Sequence, residues 1–298
     1  MSSSPNAKPS DRKKSLSAME YSQLIPELVT LVEEAGAAIL EIYESEFSVE
    51  IKDDDSPLTQ ADLASHRIIS AGLSRLSPNI PVISEESALP NYGVRRDWSR
   101  YWLVDPLDGT KEFVNRNGEF TVNIALIVKN KSQIGIVGVP TQGIVYTGDT
   151  VASEAKRIKW VNGERLFDDI GTRVWEGRNS LEVVASRSHG SQRLEHFLTL
   201  LSNGFGDIKM KRVGSSLKLC VLSEGNADIY PRLGPTSEWD IAAAHAILSA
   251  AGGELLTLSG DQFLYNKESL LNPDFVAVAD AGLKWRDQIS QSGLAELY

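Results

Sequence analysis

Tyr101-Trp102-Leu103-Val104-Asp105-Pro106-Leu107-Asp108-Gly109-Thr110 reads as a buried strand that ends abruptly in two carboxylates three residues apart. A strand ending at Val104 places Asp105 at a sheet edge. Pro106 fixes the turn, Asp108 comes back to the same side, and Gly109 with Thr110 can open a helix whose free N–H groups bind an anion. Metal and phosphate would then be neighbours. For one Asp alone, an Asp-Pro turn with an Asx-type bond, and Asp108 or Thr110 capping a short helix, is a sufficient explanation. Two carboxylates plus Gly-Thr directly after an apolar strand point beyond a turn.

Ser84-Glu85-Glu86 follows the strand Ile80-Pro81-Val82-Ile83 in the same way. Adjacent acids repel unless a cation or exposure relieves them, so a solvated loop is the plain alternative. Thr59-Gln60-Ala61-Asp62 and Ser237-Glu238-Trp239-Asp240 share another pattern: a hydroxyl residue, an Asp three positions later, then an apolar helical run. Both fit a capping box with Asp standing where Glu is usual. A carboxylate in the first turn of a helix is also placed to share a metal with carboxylates at neighbouring strand ends. Asp62, Glu85, Asp105, Asp108 and Asp240 would then converge, and hard, oxygen-only ligands suit Mg²⁺.

The composition fits such a site. A formal charge of −10 over 298 residues argues against binding of a nucleic-acid polymer, which needs a basic surface. Bound divalent cations would supply the positive charge that an anionic substrate requires. The single cysteine, Cys220, excludes an intrachain disulfide and any multi-cysteine zinc site, and His66, His189, His196 and His245 lack metal-ligand spacing. With 42% hydrophobic and 23% charged residues the chain is ordinary for a globular protein, and no apolar run reaches the ~18 residues of a transmembrane segment. Residues 1–18, rich in Ser, Lys and Arg and without an apolar signal core, are expected to be a disordered tail of a cytoplasmic protein. Peripheral contact of that basic tail with the inner membrane face stays open.

Apolar residues at helical spacing predict a helix from Met19 to about Tyr43, with Pro26 near its first turns. A strand at Phe47–Ile51 runs into Asp53-Asp54-Asp55, and a second helix is expected from Ala61 to Leu76. Strands follow at Ile80–Ser84, Tyr101–Val104, Phe120–Val128, Gln133–Val139 and Gly143–Thr147, with Asn162-Gly163 at the tip of a hairpin. After Asn179, strands at Leu181–Ala185, Ala227–Tyr230, Gly253–Leu258 and Phe275–Ala279 alternate with helices. Residues 19–178 thus read as an α+β domain with a mostly antiparallel sheet, and residues 179–298 as an α/β domain with a mixed one, with a cleft between them.

Ser84-Glu85-Glu86, Asp105-Pro106-Leu107-Asp108-Gly109-Thr110 and Trp239-Asp240-Ile241-Ala242-Ala243 resemble, in order, the three signature blocks of the inositol monophosphatase superfamily. Within it, Gly118 to Asn123, Gly214-Ser215-Ser216-Leu217-Lys218 and Tyr230 to Thr236 resemble the bacterial 3′(2′),5′-bisphosphate nucleotidases. The resemblance implies the layered α/β sugar-phosphatase fold, an αβαβα sandwich, and hydrolysis of adenosine 3′,5′-bisphosphate to AMP and phosphate. It implies two or three Mg²⁺ ions held by Glu85, Asp105, the carbonyl of Leu107, Asp108 and Asp240, with Glu85 counted among the catalytic residues. Asp62 with Thr110 would orient the attacking water. Gly109, Thr110, Ser215, Lys218, Arg232 and Asp240, with His189 as a looser match, would contact the substrate. Lithium sensitivity belongs to the same resemblance, and a homodimer is compatible with it. The charged segment from Val151 to Arg178 departs from the family pattern.

The expected chemistry is direct in-line attack by a metal-activated water, without a phosphoenzyme. Two residues, Pro106 and Leu107, separate Asp105 from Asp108, whereas aspartyl-phosphate phosphatases separate their two Asp by one. Inositol phosphate or fructose bisphosphate as substrate, and a non-catalytic metal or nucleotide sensor, are the remaining alternatives.

Overall fold

The computed structural model describes residues 21–51, 57–187 and 191–290. The expected tail (1–18), Asp53-Asp54-Asp55 and His189 lie outside them. In chain order the elements are α1 (Ile25–Tyr43), β1 (Val49–Ile51), β2 (Pro57–Thr59), α2 (Gln60–Leu76), β3 (Val82–Ser84), α3 (Tyr92–Arg95), β4 (Arg100–Asp108), α4 (Thr110–Val114) and β5 (Thr121–Val128). There follow β6 (Lys131–Val139), β7 (Ile144–Asp149), β8 (Glu154–Val161), β9 (Glu164–Asp169), β10 (Ser180–Ala185), α5 (Gln192–Phe205), β11 (Asp207–Arg212) and α6 (Leu217–Ser223). The last are β12 (Ile229–Arg232), α7 (Glu238–Ala250), β13 (Glu254–Thr257), β14 (Phe275–Val278) and α8 (Trp285–Ser290).

β3 to β9 form one sheet in sequence order, parallel only between β3 and β4. The second sheet, ordered β11-β10-β12-β14-β13, mixes parallel pairs around β10 with antiparallel pairs around β14. The two-residue period of a strand makes layers of this. In β4, Trp102 and Val104 face α1 and α2, packing with Leu28, Val32, Ile39 and Ile69, while Tyr101 and Leu103 face the opposite way. That second face is covered by Leu219 and Cys220 of α6 and by Ala242, Ala243 and Ile247 of α7, which rest in turn on Tyr230, Phe275 and Ala277 of the smaller sheet. Beyond it, Val183 and Val276 pack on Phe197 and Leu201 of α5 and Trp285 of α8. The order is helix, sheet, helix, sheet, helix: the αβαβα sandwich.

α7 sits unusually close to the larger sheet. A Cβ added at Gly135 of β6 would lie 1.9 Å from the carbonyl oxygen of Ala243, so only glycine admits the helix there. That approach positions Asp240 at the helix start.

Two expectations need correction. β4 does not stop at Val104; it continues to Asp108, with a shift of pairing against β5 between Asp105 and Asp108. Pro106 has no N–H to give to a ladder, and the irregularity absorbs it. Asp105 therefore lies within a strand flanked by β3 and β5, not at a sheet edge, and is 1% exposed. Nor does α1 run unbroken from Met19: a turn at Gln23 and Leu24 precedes it, and the regular helix begins at Ile25. Pro26 has no N–H for a helical bond to the preceding turn, so the ladder starts afresh with Leu28 N–H donating to the Leu24 carbonyl at 2.9 Å. The hairpin behaves as expected: Asn162 and Gly163 have φ of 53° and 84°, as a type I′ turn requires. Among the described residues no helix is long and apolar enough to cross a membrane.

Candidate active site

The site is first organised on α2. Ala61 N–H donates to Thr59 Oγ1 at 3.1 Å, and Asp62 Oδ2 accepts the Thr59 N–H at 2.8 Å and the Thr59 hydroxyl at 2.7 Å. A cap of this kind stabilises a helix by about 1 kcal/mol. It engages one oxygen of Asp62 and leaves Oδ1 to accept the Thr110 hydroxyl at 3.2 Å. One turn on, the same face of α2 grips two more segments. Ser65 Oγ donates to the Pro106 carbonyl at 2.7 Å, and His66 Nδ1 lies 2.9 Å from Ser84 Oγ. Positions 62, 65 and 66, at i, i+3 and i+4, thereby fix the start of α4, the irregular part of β4 and the end of β3 against one another.

Glu85 follows β3 directly, and its N–H donates to the Val104 carbonyl at 3.1 Å, which brings it alongside Asp105. Asp105 Oδ1 accepts a neighbouring N–H, that of Leu107, at 3.1 Å. Burial pushes the Asp105 carboxyl well above the usual range, and the charges of Glu85, Asp108, Asp240 and Asp62 push the same way. Burial also raises Asp108 to about 6, with Lys218 pulling it down and Glu112 and Glu85 adding to the rise. Asp240 is raised to about 8 by burial and by Asp108, although its Oδ2 accepts the Ser237 N–H at 2.9 Å. Asp62 is raised by burial against the two Thr59 bonds.

Among the described residues no three His, Cys, Asp or Glu side chains already close around one point as a finished metal shell. The acids share a neighbourhood instead. Asp105 feels the charge of the other four, every donor is a hard oxygen, and the caps engage only Oδ2 of Asp62 and of Asp240. Buried carboxylates that repel one another with few cations nearby are a donor set suited to a hard divalent cation.

Asp108 and Asp240 also line a pocket, together with Gly109, Ser215, Lys218 and Arg232. Gly109 has φ of 92°, and a Cβ there would lie 3.2 Å from Ser215 Cβ and 3.3 Å from the Glu119 carbonyl oxygen, so the two walls meet over a bare backbone. In the same pocket Lys218, 8% exposed, donates from Nζ to the Ser215 carbonyl at 2.5 Å and lies 5.8 Å from the centre of the Tyr230 ring. Burial lowers its pKa to about 8, with Asp108 opposing. Arg232 Nη2 donates to the Pro235 carbonyl at 2.8 Å, while its Nε and the Ser215 Oγ are buried without a hydrogen-bond partner among the described residues. Ser215 holds φ of 42°, a left-handed strain of about 1–3 kcal/mol for a non-glycine residue. Unpaired buried donors and stored strain on residues that line one pocket are features that call for an explanation such as a ligand.

The expected residues thus fall into two linked groups. Asp108, Gly109, Ser215, Lys218, Arg232 and Asp240 share the pocket; Glu85, Asp105 and Asp62 join it through charge, and Thr110 through its bond to Asp62. His189 lies outside the described residues. The sequence reading gave no site role to Ser65 or His66, and took in Glu119 only as part of the motif from Gly118 to Asn123. For the first two the signal was present, since they stand one helical turn beyond Asp62.

The same architecture recurs in known proteins. The model of the inositol monophosphatase family matches residues 20–288. The 3′(2′),5′-bisphosphate nucleotidase CysQ of Salmonella typhimurium is 46% identical over 255 residues, covering 85% of this chain and 98% of that protein. Its Escherichia coli K12 counterpart is 44% identical with the same coverage. The crystal structure of CysQ from Bacteroides thetaiotaomicron superposes with a TM-score of 0.73 at 39% identity, over 87% of this chain and 97% of that one. Fold, ordered acidic blocks and these likenesses agree, and the chain belongs to the inositol monophosphatase family.

Proposed function

We propose that this protein is a phosphatase that removes the 3′-phosphate of adenosine 3′,5′-bisphosphate, giving AMP and phosphate. The observation that carries the reading is the mixed lining of one pocket: the half-buried acids Asp108 and Asp240 together with Lys218, Arg232 and Ser215, whose Oγ is unpaired. A metal-dependent phosphatase of any small monoester needs the acids. A substrate with a second phosphate and a ribose also needs the cations and the hydroxyl.

Glu85, Asp105, the Leu107 carbonyl, Asp108 and Asp240 would hold Mg²⁺, two or three ions in number. When bound, Mg²⁺ supplies the positive charge that polarises the phosphoryl group and acidifies the attacking water. The protein's own groups place that water. The Thr110 hydroxyl has one proton, shared between Asp62 Oδ1 at 3.2 Å and the Leu107 carbonyl at 3.3 Å, so its lone pairs remain to accept a proton from water. Asp62, held by Thr59, fixes that orientation. The bare backbone at Gly109 lets the phosphoryl oxygens approach between the walls. On this reading residues 19–178 supply most of the acids, and residues 179–298 supply Asp240 and the nucleotide contacts.

The test is phosphate release by purified protein with Mg²⁺, then with EDTA, from adenosine 3′,5′-bisphosphate, inositol 1-phosphate and fructose 1,6-bisphosphate. The expected result is Mg²⁺-dependent release with the nucleotide preferred in kcat/KM. Equal rates on all three would retain a phosphatase and remove the nucleotide assignment, and nucleotide binding without release would make the protein a sensor.

A further inference from the structure

Thr121 and Asn123 alternate at the start of β5, so their side chains leave the same face of the strand, and Glu119 lies two residues before it. All three meet one short loop from the second half of the chain, residues 214–216. Glu119 Oε2 accepts the Gly214 N–H at 2.7 Å. The Ser216 hydroxyl donates to Asn123 Oδ1 at 2.9 Å, and its oxygen lies 2.8 Å from Thr121 Oγ1. Because the Ser216 proton is given to Asn123, Thr121 is the donor in that pair. Thr121, Asn123 and Ser216 are buried, at 0%, 1% and 4% exposure, where a broken chain of hydroxyls is costly.

The loop so gripped carries the strained Ser215, which lines the pocket and whose Oγ is buried without a hydrogen-bond partner among the described residues. Its carbonyl anchors the Lys218 ammonium. A single carboxylate also ties in a third segment: Arg187 donates from Nε to Glu119 Oε2 and from Nη2 to Glu119 Oε1, both at 2.6 Å, next to Ser186 on the pocket wall. There is no slack at this junction, since a Cβ at Gly214 would lie 2.9 Å from Glu119 Cβ.

We propose that Glu119 is a specificity-determining positioning residue. With Thr121 and Asn123 of β5 it forms a polar row that clamps the 214–218 segment and Arg187 into the geometry that receives the substrate's second phosphate. The inference rests on the bisphosphate reading above, but its test separates the two. Loss of a charge-assisted bond to Gly214 frees Ser215 to relax from its left-handed conformation and turns Lys218 away from its anchor.

The experiment compares Glu119→Ala and Glu119→Gln with the wild type. It reads kcat and KM on adenosine 3′,5′-bisphosphate and on inositol 1-phosphate, affinity for AMP by calorimetry, and amide exchange of residues 213–219. Glu119→Ala is expected to raise KM for the bisphosphate and weaken AMP about tenfold or more, with a smaller change in kcat, a smaller loss on inositol phosphate, and faster exchange at Gly214. Glu119→Gln keeps an acceptor for Gly214 and is expected to recover most of both readouts. Equal losses on both phosphates, a loss confined to kcat, or unchanged exchange at Gly214 would overturn the clamp. Should Glu119→Ala not fold, Arg187→Ala, which removes the other charged partner of Glu119, carries the same comparison. A wild type inactive on the bisphosphate would instead strike the functional reading, while the exchange data would still decide whether Glu119 holds the loop.

Discussion

Asp105 and Asp228 are both buried aspartates, 1% and 2% exposed, and their surroundings are opposite. Asp228 Oδ1 accepts Arg173 Nε at 2.8 Å and Arg178 Nη2 at 2.5 Å, and Oδ2 accepts the Glu182 N–H at 2.8 Å. Burial pushes its carboxyl up, but these bonds outweigh it and hold the group below the usual range. Asp105 has the Leu107 N–H and four acidic neighbours, and is driven upward. One carboxylate is neutralised by protein to hold the fold. The other sits among acids that protein groups do not neutralise, which costs stability and is the setting that a bound cation would relieve.

Replacing each aspartate by its amide should separate these roles. Asp105→Asn removes a buried, mutually repelling charge, so phosphate release should fall at least about 10³-fold, beyond what loss of one oxyanion donor costs. Its thermal midpoint in EDTA should match or exceed that of the wild type. Asp228→Asn should lose about 2 kcal/mol in urea unfolding while keeping its rate within a few-fold. The pH dependence has a definite sign. A depressed acid contributes stability above its unfolded pKa of ~3.9 and loses it as pH falls through the lower folded value. The gap between wild type and Asp228→Asn should therefore be full near neutrality and shrink below about pH 4.

Lys218 sharpens the contrast from the other side, being a buried cation beside the acids that Asp105 lacks as a partner. Lys218→Ala should cost the bisphosphate about tenfold or more in kcat/KM and inositol 1-phosphate less; equal losses would place Lys218 in metal-site neutralisation alone. Ser65→Ala should have the smallest effect, a few-fold fall in kcat with KM little changed, since only the Pro106 anchor is lost. Ser65→Thr, which keeps a hydroxyl, should restore part of it.

Much of the fold was legible because burial is written as periodicity. The apolar runs of β5 and β6, the helical spacing of α1 and the hydroxyl-to-Asp caps of α2 and α7 each carry a local signal. β11 carries almost none. Asp207–Arg212 is an edge strand, exposed along most of its length, so no hydrophobic run announces it. The continuation of β4 through Pro106 was hidden because proline ordinarily ends a ladder, and only pairing with β5 shows the irregularity. At the site, the sequence exposed the acids through their strand-end and cap positions. Glu119 was noticed only within a motif, because its task depends on Gly214 and Arg187, which lie far along the chain and meet it only in the folded state.

The central claim is that the acids around Asp105 form a metal site. Its most direct test is the thermal midpoint of wild type and Asp105→Asn as Mg²⁺ is titrated in the absence of substrate. The account predicts a saturable rise for the wild type, worth about 2.7 kcal/mol at a hundredfold excess over Kd, and a curve that is nearly flat for the variant. An equal rise in both proteins would contradict it.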